Sequence, residues 1–192
     1  MRKIPAYYDN PIDNTSYRWA EYVSPLFHRL GWTANDLTFT ALILGLISVY
    51  ALWKGHPAVA AVLYYFQYVF DCWDGYYARK YRSFSPYGDL FDHYRDLLIN
   101  GLMLTLLFYR WGRYSIPLTI IWAVILLGAF ITMTVHLNCQ ERISGNQSGF
   151  LSTMTLGWGE PKELARVTRH GGCGTFCLLV LVMILFCPKN KS

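Results

Sequence analysis

The sequence predicts an all-α membrane protein: a polytopic helix bundle of five spans, preceded by an amphipathic helix that lies in the interface. Three observations carry that prediction. Of the 192 residues, 54% are hydrophobic and only 15% charged, against about 25% charged in soluble domains. The apolar residues gather into five runs, at 37–53, 57–70, 97–109, 116–135 and 175–187. If the N-terminus is inside and each run crosses once, 12 Lys and Arg fall inside and five outside, as the positive-inside tendency requires.

The start, MRKIPAYYDNPIDN, is polar and lacks the apolar core of a secretory signal. Trp19, Tyr22, Val23, Leu26, Phe27 and Leu30 then recur at three- and four-residue steps, with Arg18, Glu21, His28 and Arg29 on the other side. That spacing predicts an amphipathic helix in the interface, kinked at Pro25. Gly31 ends it, and Thr33 or Asn35 caps the next helix. Residues 1–35 thus read as a cytoplasmic N-terminal segment and 36–188 as the membrane bundle, together one domain.

The run 116–135 is long enough to span alone, whereas the others need their flanks. A helix over 57–79 would be about 34 Å long. Ser85 and Pro86 suit the N-cap and first residue of the next helix, over 86–109. Residues 148–158, SGFLSTMTLGW, are too short and polar for a clear span, which leaves a sixth crossing open. The excess basic charge serves orientation and contact with anionic lipid heads. Its spread along loops argues against a nucleic-acid partner. The five cysteines show no metal spacing and read as free thiols packed in or beside spans.

The stretch DCWDGYYARKYRSFSPYGDLFDHYRD, residues 71–96, breaks the apolar pattern. On a helix, Asp71, Asp74, Gly75, Ala78 and Arg79 form a single stripe, and Gly88, Asp92 and Asp96 stack at four-residue steps. The two helices read as antiparallel neighbours, with four carboxylates facing one another near the cytoplasmic boundary. An ionised group at membrane depth costs roughly 2.5–3.5 kcal/mol, so the cluster calls for divalent cations. Hard cations take carboxylate oxygens and stabilise charge in phosphoryl transfer. Gly75 and Ala78 clear the stripe of side-chain bulk, and Arg79 suits a forked grip on phosphate.

The spacing Asp71-x2-Asp74-Gly75-x2-Ala78-Arg79-x8-Gly88-x3-Asp92-x3-Asp96 resembles, without departure, the signature of the CDP-alcohol phosphotransferase family. The N-terminal amphipathic helix and TAND, residues 33–36, resemble that family more loosely. The resemblance implies a membrane enzyme of phospholipid synthesis that moves a phosphoalcohol or phosphatidyl group from a CDP-linked donor to a hydroxyl acceptor and releases CMP. The donor would be a CDP-alcohol or CDP-diacylglycerol and the acceptor a lipid or small alcohol. Asp71, Asp74, Asp92 and Asp96 would hold two Mg²⁺ or Mn²⁺ ions, with Asp96 also the base. Gly75, Ala78, Arg79, Ser85 and Gly88 would hold the CDP portion. The site would face the cytoplasm, at the endoplasmic reticulum of a eukaryote or the cell membrane of a bacterium. Relatives commonly pair as homodimers, and Gly45, Gly101 and Gly128 permit close packing.

SPYGDLFDH resembles the matching stretch of choline and ethanolamine phosphotransferases, so His93 points toward an amino-alcohol head group. His93, His136, Gln140 and Arg142 are candidates for an acceptor pocket. Two other classes use similar chemistry. Aromatic prenyltransferases hold a diphosphate through paired aspartate motifs, but their motifs lie farther apart. A cation transporter could line its path with carboxylates, but Arg79 would repel the ion.

Overall fold

The computed structural model describes residues 1–85, 87–145 and 159–188. Among them are seven α-helices, one 3-10 turn and no strand. The helices are α1 (Pro11–Arg29), α2 (Ala34–Trp53), α3 (Pro57–Tyr81), α4 (Gly88–Tyr114), α5 (Ile116–Ser144), α6 (Pro161–Thr168) and α7 (Cys173–Leu185). The turn, Arg169–Gly171, joins the last two.

The polarity of the bundle is that of a protein in lipid. On α2 the buried side is mostly small or polar, with Ala34, Thr38, Ala41, Gly45, Ser48 and Ala51 beside Leu37 and Leu52, while Phe39, Ile43, Ile47 and Tyr50 face outward. Small residues let helices approach closely where the surrounding solvent is as apolar as leucine. Ile116, Ile120, Val124, Leu127 and Ile131 of α5 are each more than half exposed, a surface that water would not tolerate and lipid does. Arg95, Arg110, Gln67 and His136 are buried. Among the described residues three stretches are long and apolar enough to cross a membrane: Ala34–Trp53, Ile116–Ser144 and Pro161–Leu185. The charged ends and tyrosines of α3 and α4 keep those two below that mark. The region 148–158 lies outside the described residues.

Caps follow local chemistry. Asn10 caps α1, its Oδ1 accepting from Ile12 N at 2.9 Å, and Pro11 fills the first helical position. Of the two residues expected to cap α2, Thr33 does so: Asp36 Oδ2 accepts from Thr33 N at 2.7 Å and Thr33 Oγ1 from Asp36 N at 3.3 Å. Asn35 is left for another use. Helix α4 starts at Gly88 after Tyr87, with no side-chain cap bond; Pro86, the expected first residue, lies outside the described residues. Ser85 O instead accepts from Gly88 N at 3.2 Å in a turn.

Helix α1 divides its apolar stripe. Trp19, Tyr22 and Leu26 face outward, while Phe27 stacks on Trp32 with ring centroids 4.8 Å apart. Against the bundle it lays Asp13, Ser16, Ala20 and Ser24. The Tyr68 hydroxyl of α3 donates to Asp13 Oδ1. Burial pushes the Asp13 carboxyl up to about 7 from an ordinary 3.8, against the opposing pull of that bond. The folded chain therefore holds a proton that the unfolded chain releases above about pH 4. The stability this contributes is full below about pH 4 and is lost as pH rises through about 7, by at most about 1.4 kcal/mol per unit. Melting of the purified protein between pH 4.5 and 7.5 should show that decline, and Asp13→Asn should flatten it.

The main core lies between α2, α3, α4 and α7, with Leu52, Tyr64, Met103, Leu107, Val180 and Met183 at its centre. Helix α4 packs chiefly on α2 and stands off from α3, unlike the close pair that the sequence predicts. It reaches α3 by long side chains. Tyr64 Oη donates to Asn100 Oδ1 at 2.7 Å, and Arg95 crosses to Asp71. The wider spacing leaves room for the carboxylates and the cleft beside them. Gly45 is taken up within the chain: a Cβ there would stand 2.8 Å from Ile99.

A candidate active site at the ends of three helices

The last turns of α3 and the first turns of α2 and α4 enclose one cleft. It is lined by Ala34, Asn35 and Thr38 of α2, Asp74, Gly75, Ala78 and Arg79 of α3, Ser83, Phe84 and Ser85 of the loop, and Gly88 and Asp92 of α4. Its cavity volume is about 180 Å³, smaller than a closed site for a whole drug-sized ligand, so it would enclose a nucleotide only in part. Two helix N-termini border it, and such ends favour anions.

The floor is flat because two positions lack side chains. A Cβ at Gly75 would stand 3.2 Å from Arg79 Nη1, so the guanidinium lies over bare backbone. At Gly88 it would stand 3.0 Å from Ser85 Oγ and 3.2 Å from Asn35 Oδ1. Arg79 Nε donates to Met1 O at 2.7 Å, which holds the side chain across the mouth.

The carboxylates meet at the inner wall. One oxygen from each of Asp71, Asp74 and Asp92 comes within 4.8 Å of the others. Asp74, 7% exposed, accepts from Thr38 Oγ1 at 2.7 Å. Asp71, Asp92 and Asp96 all accept from Arg95 Nη2, Asp92 at 2.7 Å and Asp96 at 2.8 Å. Three of the four carboxylates thus share one buried guanidinium. Three converging oxygens from hard ligands on two helices fit a divalent cation.

All five residues expected to hold a nucleotide, Gly75, Ala78, Arg79, Ser85 and Gly88, line the cleft with Asp74 and Asp92. Asp71 and Asp96 lie just beyond, joined through Arg95. The four candidates for an acceptor pocket are not gathered. His93 and Arg142 are exposed on α4 and α5. His136 and Gln140 are buried elsewhere: His136 Nδ1 lies 3.2 Å from Thr168 Oγ1, and Gln140 Nε2 donates to Asp9 Oδ1 at 2.9 Å. They tie α5 to α6 and to the N-terminal segment.

Three site residues were missed in the sequence. Thr38 and Asn35 had signals, a polar residue inside an apolar run and a second cap candidate beside a better one. Arg95 had only its position between two aspartates, since its reach to α3 depends on how the helices cross.

Residues 32–191 match the CDP-alcohol phosphatidyltransferase family. The chain is also similar to the CDP-diacylglycerol--inositol 3-phosphatidyltransferase of Schizosaccharomyces pombe, at 28% identity over 104 residues. That match takes in 53% of this chain and 44% of the relative, so the chain spans less than half the length of the curated relative it matches. No solved structure matches it. The helices that meet at the cleft all fall within the matched region, and the chain belongs to the CDP-alcohol phosphatidyltransferase family.

Proposed function

We propose that the chain transfers a phosphoalcohol or phosphatidyl group from a CDP-linked donor to a hydroxyl acceptor, with release of CMP. The observation that carries this reading is the three-carboxylate wall set beside a cleft with a bare floor and a guanidinium at its mouth. Asp71, Asp74 and Asp92 would hold Mg²⁺ or Mn²⁺, and a cation there supplies Lewis-acid stabilisation to a diphosphate. Arg79 grips a phosphate oxygen, Gly75 and Ala78 floor the cytidine, and Ser85 and Asn35 offer polar contacts to it.

Asp96 is the base. Its side chain is 46% exposed, against 25% for Asp71 and 32% for Asp92, so it is the carboxylate most open to an incoming acceptor. It takes the acceptor's hydroxyl proton as the new P–O bond forms and the bond to the CMP oxygen breaks. The spans would be α2, α3, α4, α5 and α7, with the site at the cytoplasmic side. A pairing of two copies would use the surface around Gly101 and Gly128, where a Cβ meets nothing within 4 Å.

The matched relative is named for a CDP-diacylglycerol donor and an inositol acceptor. We therefore favour a phosphatidyl transfer to a small polyol over the amino-alcohol reading that rested on His93, which lies outside the cleft lining. CMP release with CDP-diacylglycerol plus inositol, compared with CDP-choline plus diacylglycerol, separates the two. Asp96→Asn should lower the rate by about 10²–10⁴ with nucleotide still bound. Undiminished turnover in that variant removes the base role. Consumption of a prenyl diphosphate without CMP release would place the chemistry in another class.

A further inference from the structure

Arg95 lies three residues after Asp92 and one before Asp96 on α4. Its side chain is 0% exposed. A single nitrogen makes all of its hydrogen bonds. Nη2 donates to Asp71 Oδ1, to Asp92 Oδ1 at 2.7 Å and to Asp96 Oδ1 at 2.8 Å. Nε and Nη1 have no partner among the described residues.

A guanidinium carries five N–H donors and favours a forked grip, two nitrogens on one carboxylate. Here a nitrogen with two hydrogens faces oxygens from three carboxylates, while the other three N–H groups face none. Such an environment suits a point cation, which takes oxygens from several carboxylates at once.

A different trio, Asp71, Asp74 and Asp92, converges without Arg95. Asp96 is not part of that trio. A second ion would have to take a position among Asp71, Asp92 and Asp96, and Arg95 Nη2 already stands there with its positive charge. A divalent ion brought to that second position would stand against the guanidinium, which stays charged at any working pH.

We infer that Arg95 is a built-in counter-ion occupying the second cation position, so that this site takes one divalent ion, at Asp71, Asp74 and Asp92, instead of two. The inference rests on the metal-dependent reading above. It revises the expectation of two ions drawn from the signature. It also gives Asp96 a distinct place: held by Arg95, that carboxylate is kept from chelation and left at the edge for the acceptor. Arg95 thus acts as a positioning residue.

Mn²⁺ titrated into the full chain in lipid nanodiscs, and read by electron paramagnetic resonance, counts ions and tells an isolated ion from a coupled pair. The wild type should take one Mn²⁺ per chain, with the spectrum of an isolated ion. Arg95→Gln should take two, magnetically coupled, whereas Arg95→Lys should stay at one. A coupled pair in the wild type overturns the inference without reference to any variant. So does a single ion in Arg95→Gln, because vacating the position then opens no site. No bound ion in any of the three removes the metal reading as well as the inference. If Arg95→Gln fails to fold, the wild-type spectrum decides alone.

Discussion

Asp74→Asn should abolish transfer, with CMP release falling on the order of 10³-fold, while the bundle stays folded. Asp74 belongs both to the carboxylate trio and to the cleft lining, so it meets the cation and the donor together. Asparagine has nearly the same shape and can still accept from Thr38, whose hydroxyl lies 2.7 Å from Asp74 Oδ2. What it lacks is a negative charge, and that charge is what holds a hard cation. Removing it also relieves the crowding of carboxylates at the inner wall, so the melting temperature should hold or rise. Labelled donor turnover and thermal melting on the same preparation check both halves. Activity within tenfold of the wild type would sink the proposed donor site.

The largest effect on stability is expected far from that site. Gly174 lies in the first turn of α7, where α1 and α3 press against it. A Cβ there would stand 2.6 Å from Ile12 Cβ, 2.7 Å from Asp13 Oδ1 and 2.8 Å from Tyr68 Oη. Ile12 Cβ is the root of a side chain on a packed helix and cannot swing aside. Gly174→Val should therefore force α1 off the bundle and destabilise by about 1–3 kcal/mol or more, seen as a lower melting temperature and faster proteolysis of the first 30 residues. Gly112→Ala, within α4, is the control. Nothing lies within 4 Å of its added Cβ, and alanine favours a helix over glycine by about 1 kcal/mol. Equal losses in both variants would show that contact with α1 does not govern the effect.

The legible parts of this protein are those that one helix decides alone. The stripe Asp71, Asp74, Gly75, Ala78 and Arg79 follows from 3.6 residues per turn, and α3 places its last three members on one wall of the cleft. The capping box at Thr33 and Asp36 is a four-residue pattern with its own hydrogen bonds, and it appears where the spacing puts it. The start of α4 was less legible. Ser85 and Pro86 have the right chemistry for a helix start, yet Ser85 serves a turn and the cleft, and the helix begins at Gly88.

His136 and Gln140 show what a sequence leaves open. Polar residues near the end of a span look alike in sequence whether they line a pocket or seal a contact. Here Asp9 and Thr168, which lie 131 and 32 residues away in the chain, claim them.

Periodicity and composition suffice for an apolar helical bundle with an acidic, glycine-containing stripe, because rise, turn and partition into lipid act over a few residues at a time. They do not say how far α4 stands from α3, nor that Arg95 bridges the gap onto Asp71. Those depend on α4 resting against α2 and on small residues such as Gly45 setting the distance of approach. Packing of that kind is a property of surfaces brought together from distant parts of the chain, and it alone put a guanidinium against three of the four aspartates.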